Sequence, residues 1–82
     1  MPISRKTYTE AENQFLKNIG FKVQFFRKKR GMSQLELAEK ADLSCETISH
    51  LESTSVYGLS MVAMYRIAGA LGVELDQLLK FD

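Results

Sequence analysis

The stretch that decides the fold is "GMSQLELAEKADLSCETISHLE", residues 31–52. Ser33 and Glu36 have the spacing of a capping box, which predicts that a helix of about eight residues begins directly after Ser33. Asp42 interrupts this helix, and Asp tolerates the left-handed conformation that a sharp turn requires. Ser44 is a good N-cap for another short helix that ends with the quoted stretch. The pattern therefore predicts two short helices joined by a turn of about three residues.

The rest of the chain predicts three further helices. A first helix begins near Thr9 and ends before Gly31, a fourth is capped by Ser60 and ends before Gly72, and a fifth covers 74–81. Apolar residues at helical spacing should form the buried sides of the five helices. They are Phe15, Ile19, Val23, Phe26, Leu35, Leu37, Ala38, Ala41, Ile48, Leu51, Met61, Met64, Ile67, Ala68, Leu71, Leu75, Leu78 and Leu79. The expected fold class is all-α, a compact bundle of five short helices.

Gly20 stands inside the predicted first helix, where glycine costs about 1 kcal/mol relative to alanine. A close contact with another helix is expected at this position, since only glycine leaves the backbone uncovered.

Length and composition favour one small domain. The chain has 82 residues, of which 45% are hydrophobic, enough for a modest core without metal or disulfide. We expect a flexible basic arm over 1–8 and a single domain over 9–82. One cysteine cannot form an internal disulfide, no apolar run approaches the roughly 20 residues of a membrane span, and the start of the sequence lacks a signal-peptide core. The expected location is the cytoplasm.

The net charge of +1 conceals an asymmetry along the chain. Residues 1–31 hold eight Lys or Arg against two Glu, a net charge of +6, whereas residues 32–82 hold three against eight, a net charge of −5. Such a distribution can mark a surface that binds a polyanion. On charge alone, an ordinary solvated helix surface is the simpler explanation.

The spacing of the two central helices is that of a helix-turn-helix. Residues 31–52 resemble the signature of the phage-repressor and Cro-like family, the XRE family: an apolar residue before Ser-Gln, then Leu-Ala, a turn, Ser, Ile-Ser and Leu-Glu. The flanks "IGFKVQFFRKKRG" and "YRIAGALGVELDQLL" resemble the family's first and closing helices, so the resemblance covers 15–79. It implies a lambda-repressor-like fold and sequence-specific binding of double-stranded DNA, with the third helix in the major groove.

The third helix is short and reads only a few base pairs. Two copies that bind half-sites one DNA turn apart recognise more base pairs than one copy does, so a homodimer on a palindromic operator is expected. The dimer surface is left open between two candidates. One is the fifth helix and tail with Leu79 and Phe81, and the other is the row of Phe15, Phe21 and Phe25 on the first helix.

Helical periodicity turns four residues of the third helix outward if Ile48 and Leu51 face the core. These are the residues expected to contact bases, and the family's base-reading positions fall on the same arc. They are Cys45, Glu46, Ser49 and His50.

These outward side chains leave alternatives open. Glu46 can accept a hydrogen bond from cytosine N4, or merely suit the positive end of the helix dipole. His50 can donate to guanine or to phosphate, or be an ordinary surface residue. Cys45 packs or touches a thymine methyl, and a redox-sensing thiol is a further alternative.

Phosphate contacts are expected from two helix starts and from the basic end of the first helix. The family uses the amide of the Gln that begins its second helix, here Gln34, together with backbone N–H groups. The resemblance also implies a buried structural ion pair between Arg27 and Glu52. The expected phosphate contacts are Ser33, Gln34, Ser44, Thr47, Ser53, Arg27 and Lys28, with Lys29 and Arg30 as general electrostatic partners of DNA.

The sequence departs from the family's pattern in three places. The turn has Asp42 where glycine is usual, and Leu59 stands where proline is usual. The loop "STSVYGLS", 53–60, has no cation, whereas the family's loop usually carries Gly and Lys or Arg, which grip phosphate. Hydroxyl groups of Ser53, Thr54, Ser55 and Tyr57 would donate less strongly than cations.

An enzyme is not expected. The one His and the one Cys lie about 140° apart on the third helix, no cluster has zinc spacing, and no glycine-rich phosphate loop exists. No metal, cofactor, small-molecule ligand or membrane is expected as a partner. The serious alternative is a helix-turn-helix protein-interaction module, or an antitoxin-type component, since an acidic third helix and a cation-free loop suit a protein partner.

Overall fold

The structure, a computed structural model, describes residues 8–53 and 60–80. Its five helices are α1 (Glu10–Lys29), α2 (Gln34–Ala41), α3 (Cys45–Glu52), α4 (Met61–Leu71) and α5 (Leu75–Leu79). These two ranges contain no strand, and the predicted all-α bundle is confirmed. The expectations for the arm over 1–7, for Thr54, Ser55, Tyr57 and Leu59, and for Phe81 lie outside the described residues.

Capping chemistry sets the starts of the first four helices where the sequence predicted them. Thr9, Ser33, Ser44 and Ser60 each accept a hydrogen bond from the backbone N–H group three residues further on, at 3.0 to 3.1 Å. α2 is followed by its C-cap Asp42, whose φ is 57°, and α4 by its C-cap Gly72, whose φ is 72°. The fifth helix is shorter than predicted, since it ends at Leu79.

The core lies where α1, α2, α3 and α4 meet, and α5 closes it. Its buried apolar residues are Ile19, Val23, Leu37, Ala38, Ala41, Ile48, Leu51, Met64, Ile67, Ala68, Leu71 and Leu78. Phe26, Leu75 and Leu79 are partly buried against this cluster.

Three apolar residues expected in the core are exposed. Leu35 is 55% exposed because it lies about 200° around α2 from Leu37, which is fully buried, so both cannot face inward. Phe15, at 44%, lies in the first turns of α1, the longest helix of the bundle. Met61, at 61%, lies in the first turn of α4, at the edge of its buried arc. For these residues the sequence prediction was wrong.

Gly20 is buried where α1 crosses α3. A Cβ atom at this position would overlap the backbone carbonyl oxygen of Leu51. The close helix contact expected at Gly20 is confirmed, and it fixes the distance between α1 and the end of α3.

Within the described ranges, no helix is both long and apolar enough to cross a bilayer. The same ranges hold no group of three or more His, Cys, Asp or Glu residues that is arranged to bind a metal ion.

Candidate nucleic-acid interface

One side of α3 packs against the core, and the opposite side faces outward. Ile48 is fully buried and Leu51 is 6% exposed, so the helix is anchored along one side. Cys45, Glu46 and His50 are exposed and Ser49 is half-buried. The structure therefore places the four predicted base-contacting residues together on the outer side of one helix.

Both ends of α3 are ordered by hydroxyl groups. Ser44 Oγ accepts from the Thr47 backbone N–H at 3.1 Å, and the Ser44 and Thr47 hydroxyl oxygens lie 2.7 Å apart. At the other end, Ser53 Oγ donates to the carbonyl oxygen of His50 at 2.9 Å. These three residues, expected at phosphates, flank the exposed face of α3.

A buried ion pair joins α1 to the end of α3. Arg27 Nε and Nη2 donate to the two carboxylate oxygens of Glu52 at 2.7 and 2.9 Å, a bidentate geometry. Arg27 Nη1 donates to the Met32 carbonyl oxygen at 2.7 Å. The hydrogen bonds that Arg27 donates to Glu52 raise the pKa of Arg27, against the opposing effect of burial.

The burial of Arg27 changes its expected role. Its side chain is 10% exposed, and all three of its nitrogen atoms donate within the protein. A guanidinium held in this way fixes the geometry of the helices and is poorly placed to reach a phosphate. Arg27 is therefore a structural residue, and the phosphate contact expected of it is not supported.

Gln34 extends this network to the start of α2. Its side-chain amide donates to Glu52 Oε1 at 3.2 Å, across 18 residues of sequence. Glu52, the last residue of α3, thus accepts hydrogen bonds from Arg27 of α1 and from Gln34 of α2. Sequence reasoning missed the contact with Gln34. The backbone N–H groups of Gln34 and Leu35, in the first turn of α2, have no partner within their own helix. Ser33, the other α2 residue expected at phosphate, caps this turn.

At the basic end of α1, Arg30 donates a hydrogen bond within the fold, whereas Lys28 and Lys29 are surface residues. Arg30 Nε donates to the carbonyl oxygen of Leu71 at 2.9 Å, at the negative end of the α4 dipole. Sequence reasoning missed this cap because its partner lies 41 residues away and carries no side-chain signal. Lys28 is exposed, and Lys29 Nζ lies 5.7 Å from the centre of the Phe25 ring.

The fold and the exposed face of α3 define the class of protein as a helix-turn-helix protein. A family model described as helix-turn-helix matches residues 23–78, more than half of the chain. The chain belongs to the XRE family of helix-turn-helix proteins, a family of DNA-binding transcription regulators rather than enzymes.

Known proteins of this kind are similar over most of the chain. The immunity repressor protein of Bacillus phage phi105 is 34% identical over 58 residues, 71% of this chain. The chain spans only 40% of that repressor's length. An uncharacterised HTH-type transcriptional regulator of Archaeoglobus fulgidus is 38% identical over 61 residues, 74% of this chain and 86% of that protein.

The backbone is similar to that of a solved transcription-factor structure. The hypothetical transcription factor NHTF from Neisseria superposes with a TM-score of 0.77 at 29% identity. The match covers 84% of this chain and 78% of that one.

Proposed function

We propose that this chain is a sequence-specific regulator that inserts α3 into the major groove of double-stranded DNA. The observation that carries the proposal is the outward arc of exposed Cys45, Glu46 and His50 with half-buried Ser49, on a helix whose opposite side is anchored by Ile48. An α-helix fits the major groove, and base edges there are read by side chains on such a face.

Each residue of this arc suits a different base edge. Glu46 has an acceptor-only carboxylate that matches cytosine N4. His50 carries a ring donor for guanine N7 or O6, and Ser49 has a hydroxyl that suits either partner of a base pair. Cys45 is exposed at the helix start and offers apolar contact to a thymine methyl.

Phosphate contacts would position α3 in the groove. The N–H groups at the start of α2 and the amide of Gln34 form a ready anion-binding corner, and Glu52 fixes that amide in place. The remaining expected phosphate contacts, without Arg27, are Ser33, Ser44, Thr47, Ser53 and Lys28.

The regulator would act as a homodimer on a palindrome. α3 has eight residues, so one copy meets only a few base pairs. Two copies with their recognition helices one DNA turn apart would double the sequence that is read.

The test is a DNA titration over a salt series. Genomic fragments that include the gene's own promoter would be titrated from low to physiological salt, and the logarithm of the binding constant should fall linearly with the logarithm of salt concentration. Lys28→Gln should weaken binding to all sequences and reduce the salt slope by about 1. Lys80→Gln, a control at an exposed cation of α5's C-cap, should leave the slope unchanged.

A result at low salt decides between this proposal and its alternative. If no fragment binds, even at low ionic strength, a helix-turn-helix module or antitoxin-type component that acts through a protein partner becomes the better explanation. The exposed acid at Glu46 is the observation that would favour it.

A further inference from the structure

α4 carries an apolar row on its outer side. Met61, Val62 and Tyr65 are 61%, 60% and 71% exposed. Gly69 continues the row one turn beyond Tyr65, and a Cβ atom there would meet nothing within 4 Å. Arg66 is the only charged residue in this helix. The outer side of α4 is therefore apolar, protruding at its first turn and recessed near its last.

The recessed end opens into a cleft of about 740 Å³ between the end of α2 and the α4–α5 turn. Tyr65, Gly69 and Val73 are among the residues that line it. Its charged lining residues are two cations and two carboxylates, which sum to zero. They are Lys40, Arg66, Asp42 and Glu74.

We propose that two copies of this chain associate through α4, antiparallel, about a twofold axis beside Tyr65. Met61 and Gly69 are each four residues from Tyr65 and lie on the same side of the helix. A twofold axis at Tyr65 therefore sets Met61 of each copy against Gly69 of the other, a large side chain against an open recess. Self-complementarity of one surface is what a twofold interface requires.

The charge around α4 favours a second copy of the chain as the partner that covers its apolar side. The lining of the cleft carries no net charge, and Arg66 Nη1 lies 3.9 Å from the Asp42 carboxylate of its own copy, so two copies can meet there without accumulating charge. The apolar residues on α1 differ in this respect. Phe21 and Phe25 are 59% and 58% exposed, but Lys17 and Lys28 share that side of the helix. Pairing α1 with itself would bring like charges together, which disfavours association.

The arrangement of the surface also fits a dimer. Stable interfaces have an apolar centre with a polar rim. The exposed row supplies the apolar centre, and the lining of the cleft supplies the rim. The homodimer is part of the proposed function, so this inference rests on it, and the experiments separate the two.

Sedimentation equilibrium of the full chain tests the surface. Tyr65→Glu places two carboxylates at the twofold axis and should weaken the dimer by about tenfold or more. Phe21→Glu is the matched control, an exposed aromatic on α1, and should leave dimerisation unchanged. Dimerisation lost in Phe21→Glu and kept in Tyr65→Glu would overturn the proposal, and so would a wild-type chain that stays monomeric at several hundred micromolar (a range chosen for weak dimers).

Thiol cross-linking gives a second readout that does not depend on a destabilising charge. In a Cys45→Ser background, Tyr65→Cys should form a covalent dimer when oxidised glutathione is added, because the two introduced thiols lie beside the axis. Phe21→Cys in the same background should remain monomeric. Equal yields from the two variants would refute the α4 interface.

DNA binding is measured separately on a short non-specific duplex at low salt. If Tyr65→Glu is monomeric and still binds this duplex, both the interface and the DNA-binding role are supported. If the wild-type chain dimerises through α4 but binds no DNA, the proposed function fails and the interface stands.

Discussion

Replacing Gly20 with alanine should destabilise the domain although it improves the local helix propensity. Alanine in place of glycine within a helix stabilises by about 0.5–1 kcal/mol when the methyl group has room. At Gly20 the methyl group meets the carbonyl oxygen of Leu51. That atom is backbone, so relief requires α1 and α3 to move apart. Overpacking costs about 1–3 kcal/mol, and a clash with backbone belongs in the upper part of that range, so the net loss should be about 1–2 kcal/mol.

The chain offers a matched control in Gly69, which is also helical but has open space around a Cβ atom. Gly69→Ala should gain about 0.5–1 kcal/mol. For a domain of this size, each kcal/mol moves the melting temperature by about 4–8 °C. The two variants should therefore melt on opposite sides of wild type, as followed by circular dichroism at two protein concentrations to separate any effect of association. A Gly20→Ala variant as stable as wild type would refute the inferred close approach.

Three further predictions concern single carboxylates. Glu52→Ala leaves Arg27 buried without its partner and should cost about 3–5 kcal/mol in urea unfolding, whereas Glu52→Leu combined with Arg27→Met should cost far less. The pKa of Glu36 is lowered from 4.5 by hydrogen bonds from Ser33, so its contribution is present above pH 4.5 and lost as pH falls through the lowered pKa. Glu36→Gln keeps the capping geometry, and its urea midpoint should decline less in acid than that of wild type. Glu46→Gln should change base preference in a selection from random duplexes, by about 1–3 kcal/mol at one base pair; a uniform gain for all sequences would show that Glu46 only repels phosphate.

The helix boundaries were predictable because capping is local. A serine or threonine three residues before the N–H group that it accepts from is visible in any short window of sequence. Asp42 shows the strength of this chemistry. It replaces the glycine usual at the turn, yet adopts the same left-handed conformation, and Arg66 Nη1 lies 3.9 Å from its carboxylate.

The errors arise where the answer depends on tertiary contacts. The apolar pattern of α2 is compatible with burial of either Leu35 or Leu37. Leu37 is the buried one because α3 and α4 pack against its side of the helix. The contact of Arg30 with Leu71 and that of Gln34 with Glu52 join residues 41 and 18 positions apart. Periodicity contains no information about such pairs, so the sequence could place these residues on helices but could not find their partners.

The basic run at the end of α1 has a consequence for how this domain would hold DNA. Arg27 is buried and paired with Glu52, so the run contributes Lys28, Lys29 and Arg30 to the surface and less positive potential than its composition suggests. α3 adds an exposed carboxylate at Glu46. A single copy should therefore bind DNA weakly, because non-specific affinity depends on the number of phosphates that cations neutralise.

A second copy compensates for this shortage of cations. When two linked copies bind adjacent half-sites, the second binding event becomes intramolecular, and the overall affinity can exceed that of one copy by orders of magnitude without any new contact to DNA. Dimerisation would then matter more for this chain than for a strongly basic relative. Tyr65→Glu should accordingly weaken binding to a full palindromic operator much more than binding to a half-site. Equal losses on the two duplexes would show instead that α4 influences DNA contact directly.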